Sequence, residues 1–233
     1  MLLCDNLDLT IRNTEPSKYT LTKLDFTGTN GTFPIESAHG YTVYTYNGDI
    51  QNNKFVSPTN NGLLSYFLNP IYFGDKMGNH WQLDLVFEGI LPEFMLAAAN
   101  DFSSAFMVHS IDNGYGTIYY HSNGVTWGHN TTISPNTSGT NYLKIASVNG
   151  FISIYLNGNR VDRYNTNNIP SASFGPVVYL GRFGSGMPTE SCSILGFRLY
   201  RGIPDTNDAS TCSIPTLPLW TNTRLKNVYF RTS

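Results

Sequence analysis

The chain is short of charge. Asp, Glu, Lys and Arg together make up 13% of 233 residues, about half the share of an average soluble domain. With 14 Lys+Arg against 16 Asp+Glu there is no basic excess to neutralise phosphates, which argues against nucleic-acid binding. No apolar run approaches the roughly 20 residues that span a bilayer, so no membrane insertion is expected. Helical periodicity is almost absent. The best candidate, Leu91–Ala99, follows a strand-like stretch so closely that it reads as a short helix or one more strand. Three cysteines, Cys4, Cys192 and Cys212, are too few for a disulfide framework. Cys192 and Cys212 can pair or stay free thiols; their spacing does not decide. The opening Met1–Asp5 makes a poor signal peptide, since its apolar run is three residues long, has no basic start and meets Asp5 at once.

What is present is β-prone. Hydrophobic residues reach 40%, with 15 Tyr, 14 Phe and 21 Gly. Short runs of Val, Ile, Tyr, Phe and Thr alternate and are cut by Gly, Asn and Pro, which is the pattern of an all-β sandwich or barrel. In His80–Glu88, Trp81, Leu83, Leu85 and Phe87 share one face and Gln82, Asp84, Val86 and Glu88 the other. This predicts a half-buried strand with Asp84 and Glu88 in solvent. Ser104–Ile111 and Gly116–His121 flank the turn Asp112-Asn113-Gly114. From Asn141 to Tyr164, the pairs Asn149-Gly150 and Asn157-Gly158 separate three β-prone runs and predict a three-stranded antiparallel meander. Strands are also expected at Pro176–Phe183 and Cys192–Tyr200. About a dozen strands fit two stacked sheets.

Particular phrases then resemble a family. Leu24-Asp-Phe-Thr-Gly-Thr-Asn30 is similar to the opening strand of laminin-G-like and concanavalin-A-like jelly rolls. The meander, Tyr179-Leu180-Gly181 and Gly196-Phe-Arg-Leu-Tyr200 are similar to the second half of the same family. The resemblance covers about residues 20–203. It implies an antiparallel β-sandwich (21–203) between an N-terminal arm (1–20) and a C-terminal tail (204–233). It also implies a fold that mostly binds glycans or proteins, sometimes through a rim Ca²⁺, with some members acting as hydrolases or lyases.

Each chemistry open to such a fold needs its own set of residues. Glycosidases of this fold carry carboxylates at alternate positions of one strand. The nearest approach is the pair Asp84 and Glu88, four residues apart, which is too sparse for that arrangement. Five scattered histidines and no Cys-x-x-Cys give no transition-metal pattern. Gly181-Arg-Phe-Gly-Ser-Gly186 follows a strand but opens no helix, so it is a rim loop and not a phosphate loop. Asp112 and Asn113 are the candidate Ca²⁺ ligands, with Asp75 and Asn79 as a second option. Glycan binding needs aromatic planes for sugar C–H faces and polar groups for hydroxyls. Tyr115 in the 112–116 turn, Trp127 and His129 closing a hairpin, and Arg182 at the start of a rim loop are the candidate ligand contacts.

The expectation is therefore a non-enzymatic structural or adhesion protein of a virus particle, most simply a bacteriophage: a capsid decoration, head-fibre or tail-fibre component. It would be made in the host cytoplasm, exposed on the particle, attached through residues 1–20 or 204–233 and oligomeric by particle symmetry. It would display a glycan- or protein-binding sandwich to a host surface. The alternatives are a secreted bacterial lectin-like module and a divergent polysaccharide hydrolase or lyase.

Overall fold

The computed structural model describes residues 18–26, 28–32, 34–36, 40–57, 63–67, 81–98, 101–111, 115–122, 125–136, 138–148, 150–165, 177–181, 192–202 and 209–214. Within them the chain is all β. Sixteen strands run in the order β1 (Lys18–Asp25), β2 (Ile35–Glu36), β3 (Tyr44–Tyr46), β4 (Asp49–Gln51), β5 (Lys54–Ser57), β6 (Leu63–Phe67), β7 (Trp81–Gly89) and β8 (Glu93–Ala98). They continue as β9 (Asp101–Ile111), β10 (Tyr115–Ser122), β11 (Val125–Thr131), β12 (Thr140–Val148), β13 (Phe151–Leu156), β14 (Asn159–Asn165), β15 (Val177–Gly181) and β16 (Cys192–Gly202). The Leu91–Ala99 stretch is thus a strand, β8, and not a helix. It lies between β15 and β9, where backbone pairing on both sides overrides the high helical propensity of Met-Leu-Ala-Ala.

Two antiparallel sheets stack. One has nine strands, in the order β14-β13-β12-β7-β16-β1-β2, with β5 joined to β16 and β4 to β5; the other has seven, in the order β11-β10-β9-β8-β15-β6-β3. The meander is formed: Leu143 to Val148 pair with Leu156 to Phe151, and β13 pairs on with β14. Asn157 and Gly158 both take positive φ, 51° and 86°, as a tight two-residue hairpin turn requires. Between the sheets lies an apolar core. Leu156, Leu143, Leu85, Phe197 and Leu24 form one continuous row across β13, β12, β7, β16 and β1, all buried. Trp81 is in the core, as expected. The opposing sheet contributes Phe94, Val178 and Leu180, and the Phe94 and Phe197 rings meet with centroids 5.3 Å apart.

The other face of the nine-stranded sheet is not a solvent face. Every residue of β7 from Trp81 to Phe87 is buried. Part of the cover is the segment 209–214. Thr211 bridges to Asn159, Arg160 N–H donates to the Ser210 carbonyl, Cys212 N–H donates to the Gly158 carbonyl, and Cys212 packs on Val86 and Tyr142. The Tyr155 hydroxyl donates to the Ala209 carbonyl. Cys192 and Cys212 are both free thiols.

Candidate functional site

The two sheets meet at one flank through side chains. β11 is the edge of the seven-stranded sheet and β14 the edge of the nine-stranded one. His129 Nε2 lies 2.7 Å from Asp162 Oδ2, and Thr131 Oγ1 donates to the same oxygen at 2.5 Å. The other carboxylate oxygen, Oδ1, accepts the Arg163 backbone N–H at 2.7 Å. The Tyr164 ring stacks on the His129 imidazole, centroids 4.0 Å apart. Thr131 and Tyr164 are buried, while the His129 and Asp162 side chains keep 29% and 24% of their surface exposed. The cluster is thus a polar seam with its ionisable members at the solvent boundary.

The electrostatics follow from this geometry. Burial raises the Asp162 carboxyl's proton affinity. The hydrogen bonds from Thr131, from His129 and from the Arg163 N–H oppose burial and win, so its pKa falls below the usual carboxylate value. Capping the Arg163 N–H with a neighbouring carboxylate also blunts the exposed edge of β14 against strand addition. A bulge at Val161 sets which residues point inward. Ile154 pairs with Asp162 while Tyr155 pairs with Arg160, so Val161 is the extra residue. Without that residue's slip, strict alternation from Asn159 would send Asp162 and Tyr164 away from the opposite sheet.

The arrangement offers donors, acceptors and an aromatic plane, but not nucleophilic catalysis. In a Ser-His-Asp relay the hydroxyl and the carboxylate engage different nitrogens of the histidine. Here the Thr131 hydroxyl and the His129 ring converge on one carboxylate oxygen. Nor is there a group of three or more His, Cys, Asp or Glu able to hold a metal ion among the described residues.

Of the residues singled out from sequence, His129 is in this cluster. It does not close a hairpin: Trp127 and His129 lie inside β11, opposite Tyr120 and Ile118. Tyr115 is the first residue of β10, opposite Ile111. Arg182, Asp112, Asn113, Asp75 and Asn79 lie outside the described residues. Asp162, Thr131 and Tyr164 were missed from sequence. Only the period-two spacing of His129 and Thr131 on β11 hinted at a shared face.

The carboxylate pair is a correction. Asp84 is 6% exposed and not in solvent. Its Oδ1 accepts from Gln82 Nε2 and from the Tyr142 hydroxyl, both at 2.7 Å. The reason is the cover over the second face of the sheet, which alternation within one strand cannot reveal. Burial, followed by the Asp84 charge, pushes the Tyr142 phenol far above its usual range. Burial likewise raises the Cys212 thiol, against the lowering effect of Lys144 and with a further push from Asp84. Glu88 is separately paired with Lys54, Oε2 to Nζ 2.6 Å. Each carboxylate therefore has its own local partners.

No protein-family model and no curated protein sequence matches the chain. Solved structures do. A botulinum neurotoxin type C structure, concerned with a cell entry that depends on two ganglioside molecules, aligns at TM-score 0.63 and 15% identity over 84% of this chain and 50% of that one. The serotype G binding domain aligns at 0.62 and 15%, over 80% and 49%. The neurotoxin DC binding domain in complex with rat synaptotagmin II aligns at 0.60 and 12%, over 80% and 49%. What is shared is the fold. This chain spans about half the length of those proteins.

Proposed function

We propose that this chain is a non-enzymatic recognition module, a β-sandwich that binds a glycan or a protein on a host surface. The observation that carries the reading is the fold itself, common over about four-fifths of the chain with neurotoxin binding domains, one of them concerned with gangliosides and one in complex with a synaptotagmin. The seam chemistry supports it. His129 and Asp162 supply donor and acceptor at the solvent boundary and Tyr164 an aromatic plane beside them, the kinds of group that recognise sugar hydroxyls and C–H faces. The independent partnering of Asp84 and Glu88 supports a non-catalytic role.

The finer reading places the module on a virus particle as a structural or adhesion component. Its support is compositional: 13% charged residues over a framework rich in Asn, Thr, Gly and Tyr. In this reading residues 1–20 or 204–233 attach to other particle proteins, the chain is oligomeric by particle symmetry, and any Ca²⁺ sits at Asp112 and Asn113. The test is a glycan array and a host-membrane pull-down with the purified chain, with and without chelator, beside mass spectrometry of purified virions. Saturable binding to a glycan or surface protein, reduced by Asp162→Ala, is expected. Absence of any ligand on intact host cells would overturn the recognition role. Absence of the protein from virions would overturn its placement.

A further inference from the structure

The sheets are also joined by the chain itself. β3 belongs to the seven-stranded sheet and β4 to the nine-stranded one, and the only residues between them are Asn47 and Gly48. Asn47 is exposed and adopts φ +50°. Gly48 is pressed on the core: a Cβ there would stand 2.5 Å from Phe55 Cζ and 2.9 Å from the Val56 carbonyl oxygen. Asn-Gly is the dipeptide in which the following backbone nitrogen is least hindered, since glycine carries no side chain. Two other Asn-Gly pairs lie wholly among the described residues, Asn30-Gly31 and Asn157-Gly158.

We propose that Asn47 is a site of spontaneous deamidation, an ageing site set into the junction between the sheets, and that hydrogen bonding protects Asn30 and Asn157 from the same reaction. The deprotonated backbone nitrogen of Gly48 attacks Asn47 Cγ and forms a new C–N bond. The Cγ–Nδ2 bond breaks and ammonia leaves with a proton, giving a succinimide. Water then opens the ring at either carbonyl, to aspartate or isoaspartate. No electrons change hands, and the co-reactant is water.

The three sites differ in what holds the reacting atoms. At Asn157, Oδ1 accepts the Tyr142 N–H at 2.8 Å and Nδ2 donates to Asn141 Oδ1 at 3.0 Å, so the amide cannot swing toward the next nitrogen. At Asn30, Oδ1 accepts the Asn52 N–H at 2.9 Å, and the would-be nucleophile, Gly31 N, donates to the Ile50 carbonyl at 2.9 Å. At Asn47 no hydrogen bond holds the amide, and none holds the Gly48 N–H, among the described residues. Conversion places a carboxylate two residues from Asp49. The isoaspartate form also lengthens a two-residue junction whose second member stands too close to Phe55 to carry even a Cβ.

The test is incubation of the full native chain at mildly alkaline pH. Peptide mapping follows the mass gain of about 1 Da at each Asn-Gly peptide, and an isoaspartate-specific methyltransferase assay follows the isomer. Asn47 is expected to convert first, Asn30 more slowly, and Asn157 to stay an amide while the chain is folded. In urea the three should convert at similar rates. Asn30 or Asn157 matching Asn47 in the native chain would overturn the proposal. So would the native order persisting unchanged in urea, because sequence and not structure would then set it. Aged wild type should also melt below fresh protein, whereas an aged Asn47→Ser variant should not. Equal losses in both would refute the junction's role.

Discussion

Two adjacent rows cross the nine-stranded sheet, one residue apart in every strand. Leu156, Leu143, Leu85, Phe197 and Leu24 face the opposite sheet; Tyr155, Lys144, Asp84, Arg198 and Lys23 face away, extended by Arg160 on β14. The first row is uniformly apolar and buried. The second holds four cations and one carboxylate, yet Lys144 and Asp84 are only 2% and 6% exposed. Its members are held by specific polar contacts, with Asp84 accepting from Tyr142 and Gln82, Lys144 lying 5.9 Å from the Tyr142 ring centroid and Arg198 stacked over Tyr200 at 4.6 Å. The apolar row is buried throughout and the polar row at its centre, where Tyr155, Lys144 and Asp84 lie, for different reasons. One is driven from water by its own surface. The other is covered from above and must satisfy its polar groups locally.

Breaking the apolar row should cost most. Leu85→Ala leaves a cavity in a fully buried site, and a loss of about 2–5 kcal/mol in urea unfolding is expected. Asp84→Ala should cost less, about 1–3 kcal/mol, because it strands the buried Tyr142 hydroxyl and Gln82 amide without their acceptor. If the two losses came out in reverse order, the polar row and not the core would be the stronger determinant of this sheet.

The seam at the β11–β14 flank ranks third. Asp162→Asn weakens the contacts from Thr131, His129 and Arg163, with an expected loss of about 0.5–1.5 kcal/mol near neutral pH. Because the folded Asp162 pKa lies below its unfolded value, its contribution is complete above the ordinary carboxylate range. It disappears as pH falls below about 4 and through the lower folded value. Wild type and Asp162→Asn should therefore converge in stability in acid; a constant gap between them would rule out ionisation as its source. Last comes the Lys54–Glu88 pair, about a third exposed on each side. Lys54→Ala should change stability by less than about 1 kcal/mol, and high salt should erase the difference.

Much of the fold was legible in the chain. Alternation in Trp81–Phe87 marked the core face correctly, because side chains on a strand have a strict period of two. The Asn-Gly pairs marked the hairpins of the meander, because only such residues accept the positive φ those turns need. The site was legible only in part. His129 stood out as a residue type, but Asp162, the carboxylate that both His129 and Thr131 engage, lies 33 and 31 residues along the chain from them. The inward turn of Asp162 also depends on one extra residue at Val161.

Local periodicity, backbone preference and composition are enough for most of the strands, the meander turns, the apolar row and the low charge, though they leave 91–99 open between helix and strand. Tertiary structure alone decided that Asp84 is buried, that His129 meets Asp162 across the sandwich, and that Asn47 stands open while Asn157 is tied down. Those outcomes depend on what packs over a face, which strand edges meet and where a register slips, all of them relations between segments far apart in the chain. No local pattern carries that information, because the same alternation is compatible with a wet outer face or a covered one.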